Sequence, residues 1–180
     1  GLVAHKEPFR RLYNQGMIQS FAYEDERGAT VPVADVEERD GDYVHKASGE
    51  PLRQVVTKMS KRYGNVVNPD DVVHEFGADT LRLYEMYMGP LETSKPWITR
   101  DIVGVSRFLQ RMWRNLVSPD DGKLLVDDAE PTAELRRTLH KTIQRVTADM
   151  EQLGFNTAIA RLIELNNALV GIERVPADVA

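Results

Sequence analysis

The apolar positions change rhythm along the chain. From Met17 to about Thr57, β-branched and aromatic residues sit between turn signals at DERG, RDGD and ASGE, the pattern of short strands joined as hairpins. From Asn68 onward the apolar residues recur every three or four positions, the helical period. Asn68 before Pro69, with Asp70 and Asp71 in the first turn, predicts a helix start, and Gly77 its end. GADTLRLYEMYMG predicts a second helix, with Asp79 as its cap and Gly89 as its stop. Beyond the irregular GPLETSKPWI, one helix is predicted over TRDIVGVSRFLQRMWRNLV, with Ile102, Val105, Leu109, Met112 and Leu116 as its apolar stripe. The polar loop SPDDGKLLVDDAEP separates it from a long helix starting near Pro131. The stripe of that helix is Leu135, Leu139, Ile143, Val146, Met150 and Leu153. The chain then turns at Gly154 into a last helix capped by Asn156. Ahead of the strands, HKEPFRRLYNQG reads as a short helix with Pro8 in its first turn and Gly16 as its stop.

These elements predict an α+β fold that is mainly α: a small β-rich insert, a loop, and an antiparallel α-helical bundle. Composition changes little in that picture. The 180 residues are 42% hydrophobic and 28% charged, ordinary for a globular protein, and no run approaches the roughly 20 apolar residues of a membrane span. No membrane partner is expected. Cysteine is absent, which excludes disulfides and thiolate metal sites and fits a reducing compartment. His5, His45, His74 and His140 lie far apart without ligand spacing, so no metal site is predicted. The chain opens without Met and closes on VGIERVPADVA as a helix runs out, which reads as part of something longer.

Charge is more informative. The net value is −5, which argues against indiscriminate nucleic-acid binding, and no DNA partner is expected. Residues 17–57 hold nine acids against four bases, nine minus four leaving an excess of five negative charges. The stretch TKMSKRYGNVVNPDD follows at once, with Lys58, Lys61 and Arg62 crowded into a loop ahead of a helix start. Like charges this close repel unless something anionic comes to lie among them.

Lys-Met-Ser-Lys, then Gly-Asn-Val-Val-Asn-Pro-Asp-Asp, then a helix running into Phe-Gly-Ala-Asp-Thr-Leu-Arg, resembles the KMSKS loop and following helix of class I aminoacyl-tRNA synthetases. Isoleucyl and valyl enzymes carry close relatives of this loop. Three other stretches are similar to the bacterial leucyl branch: EPFRRLYNQGMI before the loop, the β-rich insert where that branch places a leucine-specific insertion, and the helices RFLQRMWRNLV, LRRTLHKTIQRVTADM and FNTAIARLIELNN. The resemblance covers nearly all of the chain. It implies residues 1–16 as the end of a catalytic-domain segment and 17–57 as the leucine-specific-type insertion. Residues 58–98 would be the KMSKS-type loop with stem-contact helices, and 99–180 a truncated anticodon-binding-type bundle.

The resemblance also implies an activity. The family activates its amino acid with ATP, releasing pyrophosphate, and transfers the aminoacyl group to a tRNA. Lys58 and Lys61 would be catalytic, holding charge that builds on the pyrophosphate, with Met59 and Ser60 completing the ATP-binding loop. ATP, with Mg²⁺ in the full-length enzyme, leucine and leucine tRNA are the implied ligands and partners, in the cytoplasm; no tightly bound cofactor is expected in this stretch. Gly64 would give the loop freedom to open and close. The family's usual fifth residue is Ser, and here it is Arg62; a guanidinium can add a phosphate contact or face solvent.

A second set of bases is expected to meet RNA. Arg107, Arg111 and Arg114 share one helical face, and Arg137, Lys141 and Arg145 repeat every four residues on the next helix, with Arg136 and His140 adjoining. Any one of them is as readily a solvated helix face. Asp70 and Asp71 are helix-start residues, Trp97 and Trp113 are expected in packing, and Asn166 and Asn167 receive no function. The family's HIGH signature, amino-acid pocket and editing domain have no counterpart in these residues, so the chain is expected to be inactive alone. Two alternatives remain open at this point: the equivalent part of an isoleucyl- or valyl-type enzyme, and a free-standing non-catalytic module that binds tRNA or a protein.

Overall fold

The computed structural model describes residues 2, 4, 6, 7, 9 and 11–180. The insert is a mostly antiparallel sheet whose turns follow the signals in the sequence. Strand β1 (Ile18–Glu24) turns at Asp25, whose Oδ1 accepts from the amides of Arg27 (2.9 Å) and Ala29 (2.8 Å), and returns as β2 (Thr30–Val31). A 3₁₀ turn, Val33–Asp35, leads to β3 (Val36–Arg39), and Asp40-Gly41 closes the hairpin to β4 (Asp42–His45). Both turn residues have positive φ, 53° and 92°, as a tight two-residue hairpin turn demands. Strand β5 (Pro51–Thr57) then runs between β4 and β1, giving the order β2-β1-β5-β4-β3. Tyr23 and Tyr43 pack across it with ring centroids 4.8 Å apart.

The chain leaves β5 through residues 58–68 into α1 (Pro69–Phe76), where the Asn68 side chain accepts from the amide of Asp70 as the N-cap. Gly77, at φ +89°, ends α1 and also begins α2 (Ala78–Tyr87). Asp79 is therefore a first-turn residue and not the predicted cap. Strand β6 (Lys95–Pro96) pairs in parallel with the start of β1 and ties the end of this segment back to the insert. Val72, Tyr84, Trp97, Ile102 and Val105 form the buried cluster at this junction, with Ile18, Met59 and Val67 against it.

The short helix expected at the start is not formed in residues 11–16; Pro8, His5 and Arg10 of that expectation lie outside the described residues. Gly16 donates instead to Leu91 O (2.8 Å) and Met17 N to Ser94 Oγ (3.0 Å). Pairing with a distant backbone outweighs weak local helix propensity here.

Helix α3 (Thr99–Leu116) is followed by a short strand β7 (Val126–Asp127), then α4 (Ala133–Glu151) and α5 (Phe155–Ala168). The Thr132 side chain caps α4 through the amide of Leu135 (3.2 Å). Gly154, not Asn156, is the N-cap of α5. In α3 the buried residues are Ile102, Val105 and Phe108, while Met112 is 41% exposed. The stripe turns toward Phe108 because α5 meets α3 on the face bearing Arg111 and Asn115. In α4, Leu135 is buried but Ile143 and Met150 are exposed, because α4 packs chiefly against α5. The last residues form β8 (Val175–Pro176), parallel to β7, and bury Val175 and Val179 against Leu135 and Leu169.

Candidate functional site

Lys58, Lys61 and Arg62 project from the connection between β5 and α1, and all three are exposed. The two ends of the loop are held firmly. Met59 and Val67, each partly buried, pack against the apolar cluster under it, so the loop is anchored near both ends. Between these anchors the chain makes a turn: Tyr63 N donates to Ser60 O (3.1 Å) and Gly64 N to Lys61 O (3.3 Å). Gly64 sits at φ +64°, which only a residue without Cβ adopts at no steric cost. The insert touches the turn as well, through Val33 N donating to Tyr63 O (3.2 Å).

One residue to which the sequence pattern gives no role closes the turn from inside. Asn65 is 5% exposed, and its Oδ1 accepts from Ser60 N at 2.8 Å. The signal that could have found it is weak: an Asn five residues after a turn-opening Ser, following a glycine. Ser60 Oγ in turn accepts from Arg62 N at 3.3 Å.

No ion pair among the described residues engages Lys58, Lys61 or Arg62. Cations without carboxylate partners at an ordered turn can take an anion without first breaking a salt bridge. Among the described residues no group of three or more His, Cys, Asp or Glu is placed to hold a metal ion.

The basic helices are less uniform than their spacing. Arg107 and Arg114 are exposed, but Arg111 Nη1 donates to Asn167 Oδ1 across the contact of α3 with α5. Asn115 Nδ2 donates to both Asn166 O (3.1 Å) and Asn166 Oδ1 (2.9 Å), so Asn166, 5% exposed, is a structural bridge. On α4, Arg136 pairs with Glu130, while Arg137, His140 and Lys141 edge a shallow depression of about 510 Å³. Arg145 is exposed one turn further on. Trp97 is buried edge-on against Tyr84, as packing requires, whereas Trp113 is 66% exposed.

Comparison with known proteins adds what the geometry does not carry. A family model described as class I tRNA synthetases (I, L, M and V) matches residues 53–94, the stretch holding β5, the lysine loop, α1 and α2. The leucine–tRNA ligase of Saccharopolyspora erythraea is 56% identical over 94% of this chain, and that of Streptomyces griseus 54% identical over the same share. The chain matches a stretch of the leucine–tRNA ligases along 94% of its own length. It spans 18% of the length of each of these relatives. The crystal structure of a ternary complex of a LeuRS of Agrobacterium radiobacter with tRNA and LeuAMS is similar in fold, with a TM-score of 0.59 and 28% identity, and matches 94% of this chain and 19% of that one. The likeness to leucine–tRNA ligases runs across the strands, the lysine loop and the helices alike.

Proposed function

We propose that this chain is the stretch of a leucine–tRNA ligase that supplies the phosphate-binding lysine loop and the first helices of its tRNA-contacting bundle. Residues 17–57 are the leucine-specific-type insertion, 58–98 the loop with its stem-contact helices, and 99–180 the anticodon-binding-type antiparallel bundle, preceded by the end of the catalytic-domain segment.

In the full-length enzyme the leucine carboxylate attacks the α-phosphorus of ATP. The bond to the bridging oxygen breaks, leucyl-adenylate forms, and pyrophosphate leaves with the negative charge. Lys61 and Lys58 meet that charge on the leaving oxygens, where an ammonium lowers the barrier if it binds the transition state better than bound ATP. Mg²⁺ would arrive on the phosphates and neutralise part of the same charge. Met59 seats the loop on the apolar cluster and Ser60 shapes its turn. Arg62, exposed beside them, stands where the family has Ser and is free to reach a phosphate. The leucyl group then passes to the 3′ end of leucine tRNA, whose phosphates run past Arg107, Arg114, Arg137, Lys141 and Arg145. Arg111 takes part through α5 as much as through RNA. The reaction belongs in the cytoplasm.

The observation carrying this reading is the pair of exposed lysines, without an ion-pair partner among the described residues, on a turn whose two ends pack against an apolar cluster, within a chain that matches leucine–tRNA ligases along 94% of its length. The test is ATP–pyrophosphate exchange by the full-length protein containing this chain, with each amino acid in turn. Exchange should depend on leucine; dependence on isoleucine or valine instead, or none on any amino acid, would overturn it.

A further inference from the structure

The lysine turn has a lock that neither its cations nor its glycine explains. Asn65 is buried beneath the turn, and its Oδ1 accepts the backbone N–H of Ser60 across five residues of sequence at 2.8 Å. A backbone N–H can face only an acceptor, so the amide must present its oxygen there. The Nδ2 on the other side is buried with no acceptor among the described residues, leaving Ser60 as the one group the side chain holds. Inside the ring so closed lie Lys61 and Arg62, with two further turn bonds, Tyr63 N to Ser60 O and Gly64 N to Lys61 O. Lys61 is therefore the first residue after the locked amide, and its backbone direction is set by that bond.

We propose that Asn65 is a positioning residue for Lys61: by holding Ser60 it fixes the turn from which the Lys61 ammonium reaches the leaving phosphates. This rests on the phosphate-loop reading above. A long, flexible lysine side chain loses much of its advantage if its Cα wanders, because the charge must be within hydrogen-bond reach at the moment the bond breaks. Asn65 acts through Lys61 and not on ATP itself, so its loss should appear in the rate of the chemical step more than in ATP affinity.

The test uses the full-length ligase and four forms: unaltered, Lys61→Ala, Asn65→Ala, and both together, each assayed for leucine-dependent ATP–pyrophosphate exchange. Asn65→Ala should lower kcat roughly 10-fold or more while the KM for ATP stays within about twofold. Adding Asn65→Ala to Lys61→Ala should cost little further, because the residue it positions is already gone. Binding of leucine tRNA, measured in parallel, should be unchanged by Asn65→Ala, which separates misplacement of the loop from a failure to fold. Equal losses from Asn65→Ala with and without Lys61 would show a general structural role and overturn the proposal, as would an unchanged kcat. If Lys61→Ala itself leaves exchange intact, the phosphate-loop reading falls and takes this inference with it.

Discussion

Arg111 Nη1 lies 2.6 Å from Asn167 Oδ1, and this bond joins α3 to α5 beside the Asn115–Asn166 pair. A residue proposed to face RNA is thus also a strut. Substituting it mixes two effects, so the strut is best tested by local amide exchange. Arg111→Ala should speed exchange of the amides at the end of α5 by about 5-fold, from the loss of about 1 kcal/mol of hydrogen bonding. Unchanged protection there would mean the bond carries no weight.

The RNA question is cleaner at residues without that second role. Reversing Arg114 and Lys141 together in the full-length ligase should weaken tRNA binding to a similar degree for different tRNAs, since phosphate contacts carry little sequence information. The slope of log affinity against log salt should flatten by roughly 0.7–0.9 for each phosphate no longer neutralised. Leucine-dependent ATP–pyrophosphate exchange should hold. An unchanged salt slope would mark these as solvated helix faces.

Lys61→Ala should do the opposite. It should cut leucine-dependent exchange on the order of 100-fold or more, the scale of removing one preorganised charged group, and leave tRNA affinity nearly intact. Comparable losses in both assays would make the loop an RNA-binding element and not a phosphate site for ATP.

What was legible in the sequence was what depends on near neighbours. Asn68-Pro69 announces α1 because cap and first turn lie within three residues, and Asp40-Gly41 announces its hairpin because two positive φ values need such residues. The cations of the candidate site were legible for the same reason: their chemistry is in their side chains. Distance defeated the rest. Gly16 reads as a helix stop until its bond to Leu91 is seen, 75 residues away. Phe108 replaces Leu109 in the core because α5, far along the chain, chooses the face. Asn65 is an ordinary loop residue until the turn folds over it.

The crossing at Gly16 gives its own prediction. A Cβ there would overlap the backbone of Thr93, which has no flexible end to move aside. Gly16→Ala should separate the two segments at a cost of about 1–3 kcal/mol. The amides of Lys95 and Trp97, which donate to Met17 O and Gln19 O, should then exchange at least about 5-fold faster. Gly28→Ala is the control: it sits at φ +77° with open space around it, so its strain should stay within the β1–β2 turn. Protection at Lys95 and Trp97 that survives Gly16→Ala would show that the segments meet differently.

Tyr84 makes the core between α2 and α3 sensitive to alkali. Its ring is 3% exposed, stands edge-on to Trp97 at 4.9 Å, and its hydroxyl donates to Ile98 O at 2.9 Å. Burial raises the phenol above its ordinary value of 10.0, since the phenolate would lose its water. Below about pH 10 the folded and unfolded forms both keep the proton, and the contribution to stability is full and flat. Above it the unfolded form releases its proton first, so stability falls as pH rises toward the folded value, by at most about 1.4 kcal/mol per pH unit for one group. Tyr84→Phe should cost about 1 kcal/mol at neutral pH, through the lost bond to Ile98, yet show a shallower decline above about pH 10. Some decline should persist, because burial raises Tyr23 in the same direction. Urea unfolding followed by tryptophan fluorescence across that range measures both slopes. Parallel curves for the two proteins would mean that Tyr84 ionises as easily in the folded core as in water.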